Sequence, residues 1–154
     1  MTTVPEKVRV TKKFNFDMAH ALHGHDGPCR NIHGHSYQLF VTLRGAALQK
    51  ENHPKDGMII DFSDLKSKIE NAVVKEFDHA LVLSQLSYSE NVEIMKKQYG
   101  KIILVPFQPS CENLILEFKN RIKAAFEGSS FEIYSLRLDE TATSYAEWFA
   151  EDNS

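Results

Sequence analysis

In the run Cys29-Arg30-Asn31-Ile32-His33-Gly34-His35-Ser36-Tyr37, a thiol stands four residues ahead of a His-x-His pair. Strand side chains repeat every two residues, so a strand that begins at His33 aims both imidazoles to one side. Two neutral imidazoles on one face are two metal ligands already positioned. Three protein ligands and one open position form the catalytic zinc pattern, and imidazole suits that ion. His20 supplies the third ligand if the strand that ends on it lies beside the start of the His33 strand. The alternative is three unrelated core or surface histidines. Strand register beside a loop cysteine favours the metal.

Cys29 is open to three roles: fourth ligand of a closed zinc site, inert small side chain, or activated thiol next to the metal. An unperturbed thiol, with a pKa of ~8.5, is only a few per cent ionised at pH 7. A nearby divalent cation favours the thiolate. Asp78-His79 is either a helix-end histidine favoured by the helix C-terminus or a proton-moving imidazole with its orienting carboxylate. Glu140 continues an apolar strand face, where an unpaired carboxylate is costly. It is either a strand-end carboxylate or an anchor for a heterocycle whose adjacent N–H groups match two oxygens. His23 and His25 form a second His-x-His, but in a glycine-bearing loop without strand register, and are read as solvated. His53 precedes a proline in a turn-rich stretch and gets no role. Cys111, in Ser110-Cys111-Glu112-Asn113, is read as a packing residue at a helix start.

These residues need particular elements to hold them. Alternation from Val8 to His20 puts Phe14, Phe16, Met18 and His20 on one face of a first strand. Gly24, Asp26, Gly27 and Pro28 break any pattern over 21–32. A second strand runs from His33 to about Arg44, with His33, His35, Tyr37, Leu39, Val41 and Leu43 on one side. Paired as a hairpin, the two strands bring His20, His33 and His35 together beside the loop carrying Cys29. Asp61 or Ser63 caps a helix to Phe77, with Leu65, Ile69, Ala72, Val73 and Phe77 as its apolar stripe. Residues 80–88 are read as a connection. A short helix from Ser89 to Gly100 and a strand over Ile102–Val105 follow. Ser110 caps a helix that Gly128 ends, with Leu114, Ile115, Phe118, Ile122 and Phe126 facing inward. Tyr134, Leu136, Leu138 and Glu140 share a strand face, and Ser144–Phe149 is the last strand. This order predicts an α+β fold, an antiparallel sheet with helices on one face.

The 154 residues are read as one domain, long enough to bury roughly 70% of the unfolded surface. A net charge of -3 and the lack of any dense Lys/Arg cluster argue against nucleic acid. No apolar run approaches the ~20 residues of a membrane span. Met1 to Lys7 lacks the apolar core of a secretory signal. Two cysteines make no disulfide framework, so the cytoplasm is expected.

Taken together, Phe16-Asp17-Met18-Ala19-His20, Cys29-x-x-x-His33-Gly34-His35-x-Tyr37, Gly57-Met58-Ile59-Ile60-Asp61-Phe62, Phe77-Asp78-His79, Glu112-Asn113 and Glu140-Thr141 resemble a known family. It is the 6-pyruvoyl-tetrahydropterin synthase / 6-carboxytetrahydropterin synthase family, and the motifs recur in order over almost the whole chain. The resemblance implies a tunnelling fold (T-fold), a four-stranded antiparallel sheet with two main helices on one face. It also implies subunits joined edge to edge, two trimers stacked as a homohexamer. By the same resemblance His20, His33 and His35 bind Zn2+ and Cys29 abstracts a proton. His79 and Glu140 act as a relay, Asp78 orients His79, Glu140 with Glu112 binds the pterin, and the zinc site and Glu140 meet at a subunit interface.

The three-residue gap between Cys29 and His33 is similar to the bacterial 6-carboxytetrahydropterin synthases of queuosine biosynthesis. That similarity implies 7,8-dihydroneopterin triphosphate as substrate, with acetaldehyde and triphosphate released. The 6-pyruvoyl product and a non-catalytic metal- or pterin-binding module are the alternatives. Two features depart from the family. Residues 85–108, with their short helix and strand, look like an insertion. Cys111 stands where Ser or Thr is usual.

Overall fold

The chain is built on one long hairpin. Strand β1 (Val8–Ala21) and β2 (His33–Gly45) pair antiparallel from Val8↔Gly45 to His20↔His33. The computed structural model describes residues 3–154. After β2 come helix α1 (Phe62–Ile69), a π-helical turn (Glu70–Val74) and α2 (Lys75–Phe77), which run on as one helical stretch. Asp61 caps it by accepting the Ser63 N–H, as a side-chain oxygen ahead of a helix does for the unpaired first donors. Strand β3 (Leu81–Ser84), helix α3 (Glu90–Tyr99) and strand β4 (Ile102–Val105) follow. Helix α4 (Cys111–Ala125), β5 (Glu132–Asp139) and β6 (Tyr145–Phe149) complete the fold.

The sheet order is β4-β3-β1-β2-β5-β6. The expected four antiparallel strands are the contiguous block β1-β2-β5-β6. Two further strands extend it: β3 pairs parallel with the last residues of β1, and β4 parallel with β3. The sheet is therefore six-stranded and mixed. Residues 81–84, read as connection, form a strand because Val82 and Leu83 are buried against the sheet. Four residues are too few to show a period in sequence.

Phe14, Phe16, Met18, Leu39, Val41 and Leu138 on one sheet face meet Leu65, Ile69, Phe77, Leu114, Phe118 and Ile122 from the helices. Phe118 packs edge-on against Phe16 and Phe77, with ring centres 5.9 and 5.0 Å away. The other face is open to solvent along most of β1 and β2, but Val92 of α3 packs there on Ala21 and Leu83. Tyr134 departs from its expected face. Thr42 pairs with Ser135 and Leu43 with Ile133, so Tyr134 is the extra residue of a β-bulge, which shifts the alternation by one. Its ring packs against the guanidinium groups of Arg9 and Arg44, at 3.8 and 4.6 Å. Among the described residues, no helix is long and apolar enough to cross a membrane.

Candidate active site

The hairpin register sets His20 opposite His33 and Met18 opposite His35. All three imidazoles lie at the same end of the helix-packed face, with ring centres 4.6 to 5.3 Å apart. One ring nitrogen from each falls within 4.8 Å of the others, close enough to hold one metal ion. The hydrogen bonds fix which nitrogens face inward. His20 Nδ1 donates to the Pro109 carbonyl at 2.7 Å, and His33 Nδ1 donates to the Asn31 carbonyl at 2.7 Å. A carbonyl accepts only, so both protons sit on Nδ1 and both Nε2 lone pairs are free. Those two Nε2 atoms are 3.1 Å apart. With no proton between neutral rings this is lone pair against lone pair, which a shared cation turns from repulsive to attractive. Burial pushes the His20 pKa down, and the two neighbouring imidazoles push the same way against the Pro109 carbonyl and Glu140. His35 Nε2 is buried without a hydrogen-bond partner among the described residues. Such an atom is costly to leave unpaired. The donor set fits a divalent metal of zinc's preferences.

Beside the imidazoles lies a cavity of about 190 Å³, lined by His20, Cys29, Cys111, Glu112, Glu140 and Tyr145, among others. Cys29 sits in a single 3₁₀ turn (Pro28–Arg30), and its carbonyl accepts the Leu22 N–H at 2.9 Å. Its thiol is half-buried and stands outside the three-histidine donor group. Glu140 follows β5, with Oε1 3.7 Å from His35 Nε2, too far for a hydrogen bond. A single chain thus brings Glu140 to the imidazoles. Tyr37 is stacked on Phe16 and buried beneath His35. Burial and the Glu140 charge push the Tyr37 pKa well up. The Cys111 thiol, pushed up to about 12 by burial and by Glu140, donates to the Leu138 carbonyl. Of the two thiols in this cavity, Cys111 is held protonated.

Asp78 and His79 lie elsewhere. Their carboxylate and imidazole are 2.9 Å apart, and Asp78 Oδ1 also accepts the Asp17 N–H at 3.0 Å. The His79 N–H donates to the Asp17 carbonyl, which helps hold His79 at φ 61, a backbone region few non-glycine residues occupy. Asp17 and Ser36 alternate with core residues, so this group sits on the open face, opposite the three histidines. Its imidazole is largely exposed. Sequence reasoning overlooked Asp17, which accepts the Ser36 hydroxyl at 2.6 Å and joins Asp78 and His79 in a compact cluster. It also missed the carbonyls of Pro109 and Asn31, for which no residue type is a signal.

An α+β sheet with its main helices on one face, and three imidazoles converging at the end of its central hairpin in a nest able to hold a metal ion, define a T-fold protein. The family model described as 6-pyruvoyl tetrahydropterin synthase matches residues 9–151, and the chain belongs to that family. It is 38% identical over 142 residues to the 6-carboxy-5,6,7,8-tetrahydropterin synthase of Haemophilus influenzae, covering 91% of this chain and 97% of the relative. The protein of the same name from Rickettsia bellii is 30% identical over 141 residues, covering 91% and 99%. Among solved structures, Caenorhabditis elegans 6-pyruvoyl tetrahydropterin synthase has a TM-score of 0.68 at 21% identity, covering 95% of this chain and 97% of that one. An uncharacterised Wolinella succinogenes protein reaches 0.73 at 17%, covering 94% and 99%. These two likenesses speak to the fold.

Proposed function

We propose that this chain is a zinc-dependent 6-carboxytetrahydropterin synthase. It converts 7,8-dihydroneopterin triphosphate and one water to 6-carboxy-5,6,7,8-tetrahydropterin, releasing acetaldehyde and triphosphate, as a step toward 7-deazaguanines such as queuosine. The observation that carries this reading is the nest of three metal-competent imidazoles, one of which, His20, opens on a cavity that Cys29 and Glu140 also line. The names of its relatives support it.

His20, His33 and His35 would hold zinc, which when bound supplies Lewis-acid polarisation of substrate side-chain hydroxyls. Cys29 is the base that takes a carbon-bound proton from that side chain. Cys111, its thiol engaged with Leu138 and pushed up to about 12, cannot share that work at neutral pH. Glu140 receives adjacent N–H groups of the pterin in paired hydrogen bonds, and Glu112 lines the same cavity. His79, oriented by Asp78, passes protons on. Its place on the opposite face supports a role in the site of a neighbouring copy. Three unpaired sheet edges are open to such copies: β4, the outer edge of β1 ahead of Ala19, and β6. The family resemblance supports a closed homohexamer of two trimers as the assembly.

The test is product analysis. Purified protein incubated with dihydroneopterin triphosphate should give trapped acetaldehyde in step with a carboxylated pterin identified by mass. A pyruvoyl pterin without acetaldehyde would move the chain to the sister reaction and leave the metal site intact.

A further inference from the structure

The excursion from Gln85 to Gln108 has no part in the chemistry above, yet both of its ends grip His23. The Gln108 side chain meets both peptide groups of that residue. His23 N–H donates to Gln108 Oε1 at 2.8 Å, and Gln108 Nε2–H donates to the His23 carbonyl at 2.8 Å. Ser87 Oγ is 3.1 Å from His23 Nδ1. His23 adjoins Leu22, whose N–H donates to the Cys29 carbonyl. Gln108 is itself fixed, since its carbonyl accepts Ser110 N–H at 2.8 Å and Asn113 Nδ2–H at 3.0 Å. The next residue is Pro109, whose carbonyl orients His20.

We infer that Gln108 is a positioning residue, which ties the loop bearing Cys29 to the strut that orients His20. This rests on the reading of Cys29 as the base. The two halves of the site come from segments far apart in sequence, and the loop between β1 and β2 has little regular structure beyond one turn. A peptide-to-amide clamp stops that loop from pivoting about its ends. It sets the distance from thiol to imidazoles without touching substrate. A misplacement of about 1 Å can cost on the order of 100-fold in rate, so a clamp of two hydrogen bonds matters to turnover even when it matters little to folding.

The experiment compares Gln108→Ala and Gln108→Met with wild type. Methionine keeps the bulk of the stem and removes both bonds. Hydrogen exchange should speed up in peptides covering 22–30 and stay unchanged in β1 and β2. Alkylation of Cys29 by iodoacetamide, read by peptide mass, should change several-fold while that of Cys111 does not. Bound zinc should remain at the wild-type level. Turnover of dihydroneopterin triphosphate should fall about tenfold in kcat with KM little changed. Exchange and alkylation at wild-type rates in both variants would overturn the inference. So would loss of zinc in both, which would make Gln108 a support of the metal site. If wild-type protein proves inactive on the pterin, the functional reading fails, while exchange and alkylation still decide whether the clamp exists.

Discussion

At the scale of single residues, the strongest constraint is the opposition of two Nε2 lone pairs 3.1 Å apart in His20 and His33. Replacing His33 or His35 by alanine removes one ligand of three. Bound zinc, measured by atomic absorption, should fall from about one per chain to near zero. Cys29→Ala should keep the zinc and abolish turnover, and joint loss of both would make the thiol a ligand. The histidine cluster was legible in sequence because strand period and a His-x-His pair carry it together. Glu140 was legible as a carboxylate out of place on an apolar face. The carbonyls that choose the tautomers were not, because every residue has one. Nor could the position of Asp78-His79 be read. Adjacency showed the pair, but only the turn after α2 decides which face of the sheet receives it.

At the scale of elements, α4 joins the site to the core. Its first residues line the cavity, and Phe118 on its inner face meets Phe16 and Phe77. Phe118→Ala should cost roughly 3–5 kcal/mol, seen as a lower urea midpoint with an unchanged slope. An unchanged midpoint would mean that the core repacks there. Long periodic elements were legible: β1, β2 and α4 end within a few residues of where alternation and caps put them. β3 was not, having four residues and no alternation. Tyr134 was misassigned because a bulge moves one residue across the sheet while leaving sequence alternation on either side intact.

At the scale of the whole molecule, one chain holds Cys29 and Glu140 near the imidazoles and puts His79 on the opposite face of the sheet. If sites form between copies, two inactive variants can repair each other. Cys29→Ala and His79→Ala chains, unfolded together and reassembled in equal amounts, should regain about a quarter of the wild-type activity from randomly mixed sites. A mixture as inactive as its components would mean that each chain works alone.

The β1–β2 ladder runs through thirteen matched pairs and ends on His20↔His33. A slip of one residue would turn every buried side chain outward, so that alignment is strongly held. The connection over 22–32 has no such ladder, and its length can vary at small cost. Doubling a loop's length adds only about 0.6 kcal/mol of closure entropy. Insertions and deletions ahead of Asn31 would leave the three imidazoles where they are and move Cys29. Inheritance can therefore treat the two as separate modules, one that tolerates almost no change in length and one that can be rewritten. On the proposed reading, a lineage that alters the loop would change how a substrate side chain meets Cys29 without having to reinvent the three-histidine nest.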